Sequence, residues 1–188
     1  MKCLLCRLCA LIILLNVTAC KSIDLAQSVG YNNFKDACFE LNLDSYLYTH
    51  NYCDSESKCF GIQSYGLQNS RINEKTRFIP NSQLELESNL KKWNEIITET
   101  DTIGGLKSSK YVGTVKKSDK LKIKKIEYES IFSYGSLWRV QATIISGEHK
   151  GKTVQIPDMF YLQAPTWLKH SSFKDGPVVD EKFLSICQ

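Results

Sequence analysis

A chain of 188 residues with 24 basic and 20 acidic side chains carries a formal charge of only +4, too small an excess to call for a nucleic-acid partner. Its length suits one domain, or two small ones sharing a core. The common catalytic patterns have no match in it: there is no Gly-x-Ser-x-Gly, His-Glu-x-x-His, phosphate-cradling glycine loop or dinucleotide fingerprint.

The chain begins Met1-Lys2-Cys3-Leu4-Leu5-Cys6-Arg7, runs apolar from Leu8 to Leu15, and reaches Val17-Thr18-Ala19-Cys20 before its first polar stretch. A basic start, a short apolar core and small residues before a cut describe a signal peptide over residues 1–19, since the run is too short for a span. Val17-Thr18-Ala19-Cys20 resembles the lipobox of bacterial lipoproteins. That resemblance implies that Cys20 is acylated, palmitate included, and becomes the mature N-terminus; plain secretory cleavage after Ala19 and an uncleaved anchor are the alternatives. Two or three buried acyl chains hold a protein at a membrane almost irreversibly, at about 0.8 kcal/mol per CH₂. In enteric lipoproteins an Asp after the lipidated Cys retains the protein at the inner membrane. Lys21 stands there, so the resemblance implies an outer-membrane anchor with the body in the periplasm or at the cell surface. Residues 20–36 read as a flexible lipidated tether.

Cys3, Cys6 and Cys9 leave with the leader and Cys20 takes lipid, which leaves Cys38, Cys53, Cys59 and Cys187. An even number in an oxidising compartment suggests two disulfides, with three possible connectivities. A bond from Cys53 to Cys59 closes a five-residue polar loop, and Cys38 then ties down Cys187. A zinc site on His50, Cys53, Cys59 and Cys38 fits no standard ligand spacing, so no metal and no cofactor beyond the lipid is expected. His149 and His170 are isolated and read as surface or loop positions.

Residues 37–106 form a hairpin-plus-helix region. Phe39, Leu41 and Leu43, then Tyr46 and Tyr48, then Phe60 and Ile62 alternate, which predicts a disulfide-closed hairpin with arms at about 38–49 and 58–64. Tyr46, Tyr48, Tyr52 and Tyr65 either pack as strand residues or form an aromatic face for sugar or peptide. A turn-rich connection over 66–81 precedes a helix, announced by the Ser82 and Glu85 capping box and by Leu86, Leu90, Trp93 and Ile97 at helical spacing to about residue 99. Gly104 and Gly105 mark a linker.

Residues 107–188 are β-rich and are expected to share a core with 37–106. Val112 and Val115 mark a short strand, Ser118 and Asp119 a turn, and Leu121 and Ile123 alternate with Lys122 and Lys124. A phase shift at Lys124 and Lys125, before Ile126 and Tyr128, predicts a β-bulge. Trp138, Val140, Ala142 and Ile144 alternate again, a glycine turn follows at 147–151, and Val154 and Ile156 close another strand. Tyr111-Val-Gly-Thr-Val-Lys-Lys-Ser-Asp-Lys-Leu-Lys-Ile-Lys-Lys-Ile, Trp138-Arg-Val-Gln-Ala-Thr-Ile and Ser146-Gly-Glu-His-Lys-Gly-Lys-Thr-Val resemble the small Src-homology-type barrel of bacterial envelope proteins, although that pattern usually has Gly where Ser118 stands. Apolar Phe183, Leu184 and Ile186 beside Cys187 predict a tail fixed to the body.

Lys107, Lys110, Lys116, Lys117, Lys120, Lys122, Lys124 and Lys125 fall within nineteen residues. Of these, Lys116, Lys117, Lys120, Lys122, Lys124 and Lys125 are candidate contacts for an anionic surface; the alternative makes them the wet side of a strand that guards a sheet edge. Acid pairs such as Asp44 with Glu127 can be nominated for glycoside hydrolysis, but the pattern does not single them out. The expected fold class is therefore α+β, with a disulfide-closed hairpin, one amphipathic helix and an antiparallel small barrel-like meander. The expected function is a non-catalytic, membrane-anchored lipoprotein that binds or scaffolds an envelope protein or cell-wall component. A periplasmic immunity or inhibitor protein is the first alternative, and a cell-wall hydrolase the second.

Overall fold

A computed structural model describes residues 23–24, 34, 36–49, 59–66, 79–101, 109–131, 135–157, 166–169 and 171–188. Its strands are β1 (Ile23–Asp24), β2 (Cys38–Leu41), β3 (Ser45–Thr49), β4 (Cys59–Ser64), β5 (Tyr111–Val115), β6 (Lys120–Ile131), β7 (Gly135–Ile144), β8 (Thr153–Gln155), β9 (Leu168–Lys169), β10 (Val178–Val179) and β11 (Leu184–Ile186). Two helices, α1 (Gln83–Ser88) and α2 (Leu90–Asp101), lie between β4 and β5.

One sheet runs β11-β2-β6-β7-β8-β4-β3-β5, with β1 paired to β6 beyond the end of β2. Its pairs are antiparallel except β4 with β8. The sheet curls into a half-barrel, and its short links show why. Residues 42–44 join β2 to β3, and residues 116–119 join β5 to β6, yet both partners sit far apart in the strand order. Such short links reach only if the β3 and β5 end comes round to meet β2 and β6. The junction is stitched by Leu41 N donating to Asp119 O at 2.9 Å and Ser118 N donating to Leu41 O at 2.8 Å. Ser118 takes φ +72° there, the left-handed conformation for which glycine is the usual residue.

The inward face is apolar. Leu121, Ile123 and Ile126 of β6 pack with Trp138, Val140, Ala142 and Ile144 of β7, Val154 of β8, Ile62 of β4 and Leu47 of β3. The register shifts between Ile123 and Lys125, so the bulge foreseen in the sequence is present and keeps Ile126 facing the core. At residues 183–187 the tail closes the other edge. Leu184 pairs with Leu41, Trp167 stacks on Phe183 at 5.6 Å, and a disulfide joins Cys38 to Cys187 with Cα atoms 5.4 Å apart.

Three sequence expectations change. The stretch 38–49 is two strands rather than one hairpin arm: β2 pairs with β6 and β11, and β3 alone pairs with β4. The segment 107–188 makes no barrel by itself, because β2, β3 and β4 complete its sheet. The helix is broken at Asn89, whose N–H bonds Leu86 O at 3.3 Å and whose Oδ1 accepts from Lys92 N at 3.2 Å, ending α1 and capping α2. The break turns Leu90 out to 43% exposure. The predicted cap holds: Ser82 Oγ accepts from Glu85 N at 3.2 Å, and Glu85 Oε2 accepts from Asn81 N at 2.8 Å.

The helices cover the outer face of β3 and β5. Tyr46, Tyr65, Ile79, Leu86, Trp93 and Ile97 form a second apolar cluster on the side opposite Leu47. Trp93 Nε1 donates to Glu85 O at 3.2 Å, tying α2 to α1. Asn94 Oδ1 accepts from Tyr111 N at 2.8 Å and Thr98 Oγ1 accepts from Ser109 N at 3.0 Å, so α2 is laced to the entry of β5 by its own polar side chains.

Candidate functional site

Strand β6 is the long element of the sheet, and its two ends differ in chemistry. At its start, the 116–119 turn and the first residues of β6 carry the lysines foreseen in the sequence. Leu121 and Ile123 are buried while Lys122 and Lys124 are exposed, as the wet face of a strand requires. Three of the six are drawn to carboxylates: Lys122 Nζ lies 3.1 Å from Asp36 Oδ1, Lys125 Nζ 2.9 Å from Glu127 Oε1, and Lys116 Nζ 4.0 Å from Asp44 Oδ2. Asp44 Oδ1 also accepts from Lys117 N at 2.7 Å. Lys120 N donates to Ser146 Oγ at 2.7 Å, and that hydroxyl donates to Asp119 Oδ1 at 3.1 Å. The turn is thus charge-balanced in part. The pairs of Lys116 with Asp44 and Lys122 with Asp36 are exposed and contribute about 0–1 kcal/mol each, whereas Lys125 and Glu127 are half-buried.

Toward the other end, aromatic rings converge from three segments. Tyr128 of β6 lies opposite Trp138 of β7 with ring centroids 4.7 Å apart. Phe173 meets Tyr128 edge-on at 5.2 Å and stacks over Trp138 at 6.3 Å with the planes 4° apart. Phe173 comes from a turn between β9 and β10 held by Ser171 Oγ donating to Gly176 O at 2.6 Å and Ser172 Oγ donating to Asp175 Oδ2 at 2.5 Å. Trp138 Nε1 donates to Ser171 O at 3.3 Å, which fixes that turn over the sheet. Phe173 remains 40% exposed and Val178 of the same hairpin 38% exposed, with Lys169 and Lys174 exposed beside them. The sequence reading missed this trio because its members lie far apart in the chain; the one local signal was a Phe inside the polar turn Ser171-Ser172-Phe173-Lys174-Asp175.

The same stretch of β6 receives β1. Ile23 pairs with Tyr128 and Asp24 with Glu127. The expected flexible tether over 20–36 is therefore corrected at these two residues, which are strand.

The tyrosines divide. Tyr46 and Tyr65 are buried beneath the helices, so they pack rather than offer a binding face. Tyr65 Oη lies 2.6 Å from Thr114 Oγ1, Tyr111 Oη 3.1 Å from the same hydroxyl, and Tyr111 Oη donates to Glu87 Oε1 at 3.2 Å. Tyr48 is half-buried with its ring over Gly61, where any Cβ would collide with it. Tyr52 lies outside the described residues. Burial pushes the Tyr46 phenol far above its ordinary value, and it does the same for Tyr65 against the opposing Thr114 hydrogen bond. A raised folded-state value favours the neutral ring, so this stability is complete below about pH 10 and falls as pH rises further, because the unfolded chain ionises first. Urea midpoints measured between neutral pH and mild alkali should decline above that point, and a Tyr65→Phe variant should decline less steeply.

The remaining candidates do not assemble. Asp44 is held by the 116–119 turn and Glu127 by Lys125 farther along β6, so that acid pair does not share a cleft. His149 is in a loop as expected, but it is turned inward and buried, its ring against Gly113. Cys20, His50, Cys53, Lys107 and His170 lie outside the described residues; Cys59 opens β4. Among the described residues no group of three or more His, Cys, Asp and Glu side chains could hold a metal ion. No family profile, curated protein or solved structure matches this chain.

Proposed function

We propose that the protein is exported, anchored by lipid on Cys20 in the bacterial outer membrane, and works there by binding or scaffolding rather than by catalysis. The observation that supports this most directly is the disulfide between Cys38 and Cys187. Such a bond forms and persists in oxidising compartments, which agrees with the leader that ends at Val17-Thr18-Ala19-Cys20. The same compartment would close the β3 to β4 loop with a second bond, Cys53 to Cys59. A second support is the filled inner face of the half-barrel: Leu47, Ile62, Leu121, Ile126, Val140 and Val154 are buried together there, so a partner meets this body on its surface.

Cys20→Ala tests the reading. The variant should lose palmitate labelling and move from the membrane fraction to the soluble fraction. Retention of the variant in membranes would reject the anchor. Non-reduced and reduced masses of the purified wild type read the thiols in the same sample, and four free thiols would reject the oxidising compartment.

A further inference from the structure

We propose that the anchored protein stands with the Tyr128, Trp138 and Phe173 end of β6 against the lipid headgroups of its own bilayer, and with its lysine-rich turn directed away from them. The inference rests on lipid attachment at Cys20.

Chain length supplies the first argument. Ile23 is paired with Tyr128, and Cys20 precedes Ile23 by three residues. Three residues of extended backbone span at most about 11 Å. Acyl chains on Cys20 must therefore enter the bilayer close to Tyr128, and no long tether is left to let the body turn over. A free tether through residue 36 would have allowed any face to meet the membrane, and the pairing of β1 removes that freedom.

Chemistry supplies the second. A bilayer interface takes aromatic rings at headgroup depth, with lysines reaching outward from an apolar stem. The hairpin made by β9 and β10 offers this set: Phe173 and Val178 are exposed, Phe173 is braced by Trp138 and Tyr128, and Lys169 and Lys174 flank them. A lysine held near an anionic surface is attracted to it.

Distance supplies the third. Lys122 lies six residues before Tyr128 on β6, one of them taken up by the bulge, which leaves about 17 Å at the usual rise per residue. Lys116 and Lys117 lie beyond the start of the strand. At physiological ionic strength a surface potential decays over about 8 Å, so these lysines feel little of the bilayer that carries the anchor. They are presented instead to whatever faces the membrane.

The test uses the full mature lipoprotein reconstituted in phosphatidylethanolamine and phosphatidylglycerol vesicles that contain phosphatidylcholine brominated near the headgroup. Phe173→Trp and Lys117→Trp each add a fluorophore at an exposed position, and the emission added over wild type is read with and without bromine. Phe173→Trp should lose most of its added emission and Lys117→Trp should keep it. Equal quenching at both positions, stronger quenching at residue 117, or no quenching at either would overturn the orientation. Intact mass and flotation with the vesicles read the anchor separately. Acylated, floating protein with an unquenched Phe173→Trp rejects the orientation and leaves the anchor standing, whereas unacylated protein rejects both.

Discussion

Removing the bond between Cys38 and Cys187, as a Cys38→Ser, Cys187→Ser double variant, should lower stability by about 2–5 kcal/mol. The bond joins positions 149 residues apart, so it withdraws a very large loop from the unfolded ensemble. It also acts where the sheet needs it. Strand β11 is an edge of only three residues, and its pairing with β2 places Leu184 opposite Leu41 and Ile186 opposite Phe39. Cys187 N donates to Cys38 O at 3.0 Å, so disulfide and backbone hydrogen bond secure the same point. Without the covalent link, the tail is held by the burial of Phe183 and Leu184 and by the stacking of Trp167 on Phe183. A domain of this size unfolds for roughly 5–15 kcal/mol, so the loss is a large share of the whole. The drop in Tm should be about 5–15 °C. Replacing both cysteines prevents the surviving thiol from pairing with Cys53 or Cys59. A melting curve identical to wild type would show that the tail needs no covalent tie.

The second large effect is expected at Trp93. Trp93→Ala should cost about 3–5 kcal/mol, the range for truncating a buried Trp. The side chain is 1% exposed and sits among Tyr46, Tyr65, Ile79, Leu86 and Ile97, while its Nε1 holds Glu85 O across the break at Asn89. Its loss therefore opens a cavity and frees α1 from α2 together. The damage should be local. The helical cluster lies on the face of β3 opposite the sheet core, so amides of α2 should lose exchange protection well before those of β6 and β7. Trp93→Phe keeps most of the packing and should cost only about 1 kcal/mol for the missing hydrogen bond. Equal loss of protection in helices and sheet would mean that the two clusters unfold as one unit.

The filled interior and the engaged lysines bear on how a partner would be met. Lys116, Lys122 and Lys125 each face a carboxylate, so the cationic end of β6 is a mosaic of both signs. A mosaic fixes the register of a complementary partner more than it attracts polyanions at long range. That suits the binding or scaffolding role proposed above.

What the sequence determined by itself was local. The Ser82 cap, the alternation of Leu121 with Lys122, the inward row from Trp138 to Ile144 and the bulge at Lys124 and Lys125 each depend on residues within a few positions of one another, where side-chain period and capping chemistry act directly. The pairing of Cys38 with Cys187 was also legible, because the loop of five polar residues gave Cys53 and Cys59 a nearer use for each other. The tertiary structure decided the rest. The apolar phase slips between Leu43 and Tyr46, which marks a break between β2 and β3, but only the curl of the sheet, which sends β2 to β6 and β3 to β4 and β5, decides what each pairs with. The parallel contact of β4 with β8 joins residues about ninety positions apart, and no local pattern encodes such a choice. Asn89 could continue a helix or break it, and the need to bury Trp93 and Ile97 against Tyr46 and Tyr65 settles the break while leaving Leu90 in water. The aromatic end of β6 and the docking of β1 beside it belong to the same class, since burial and strand pairing are shared among distant segments and no one of them carries the information alone.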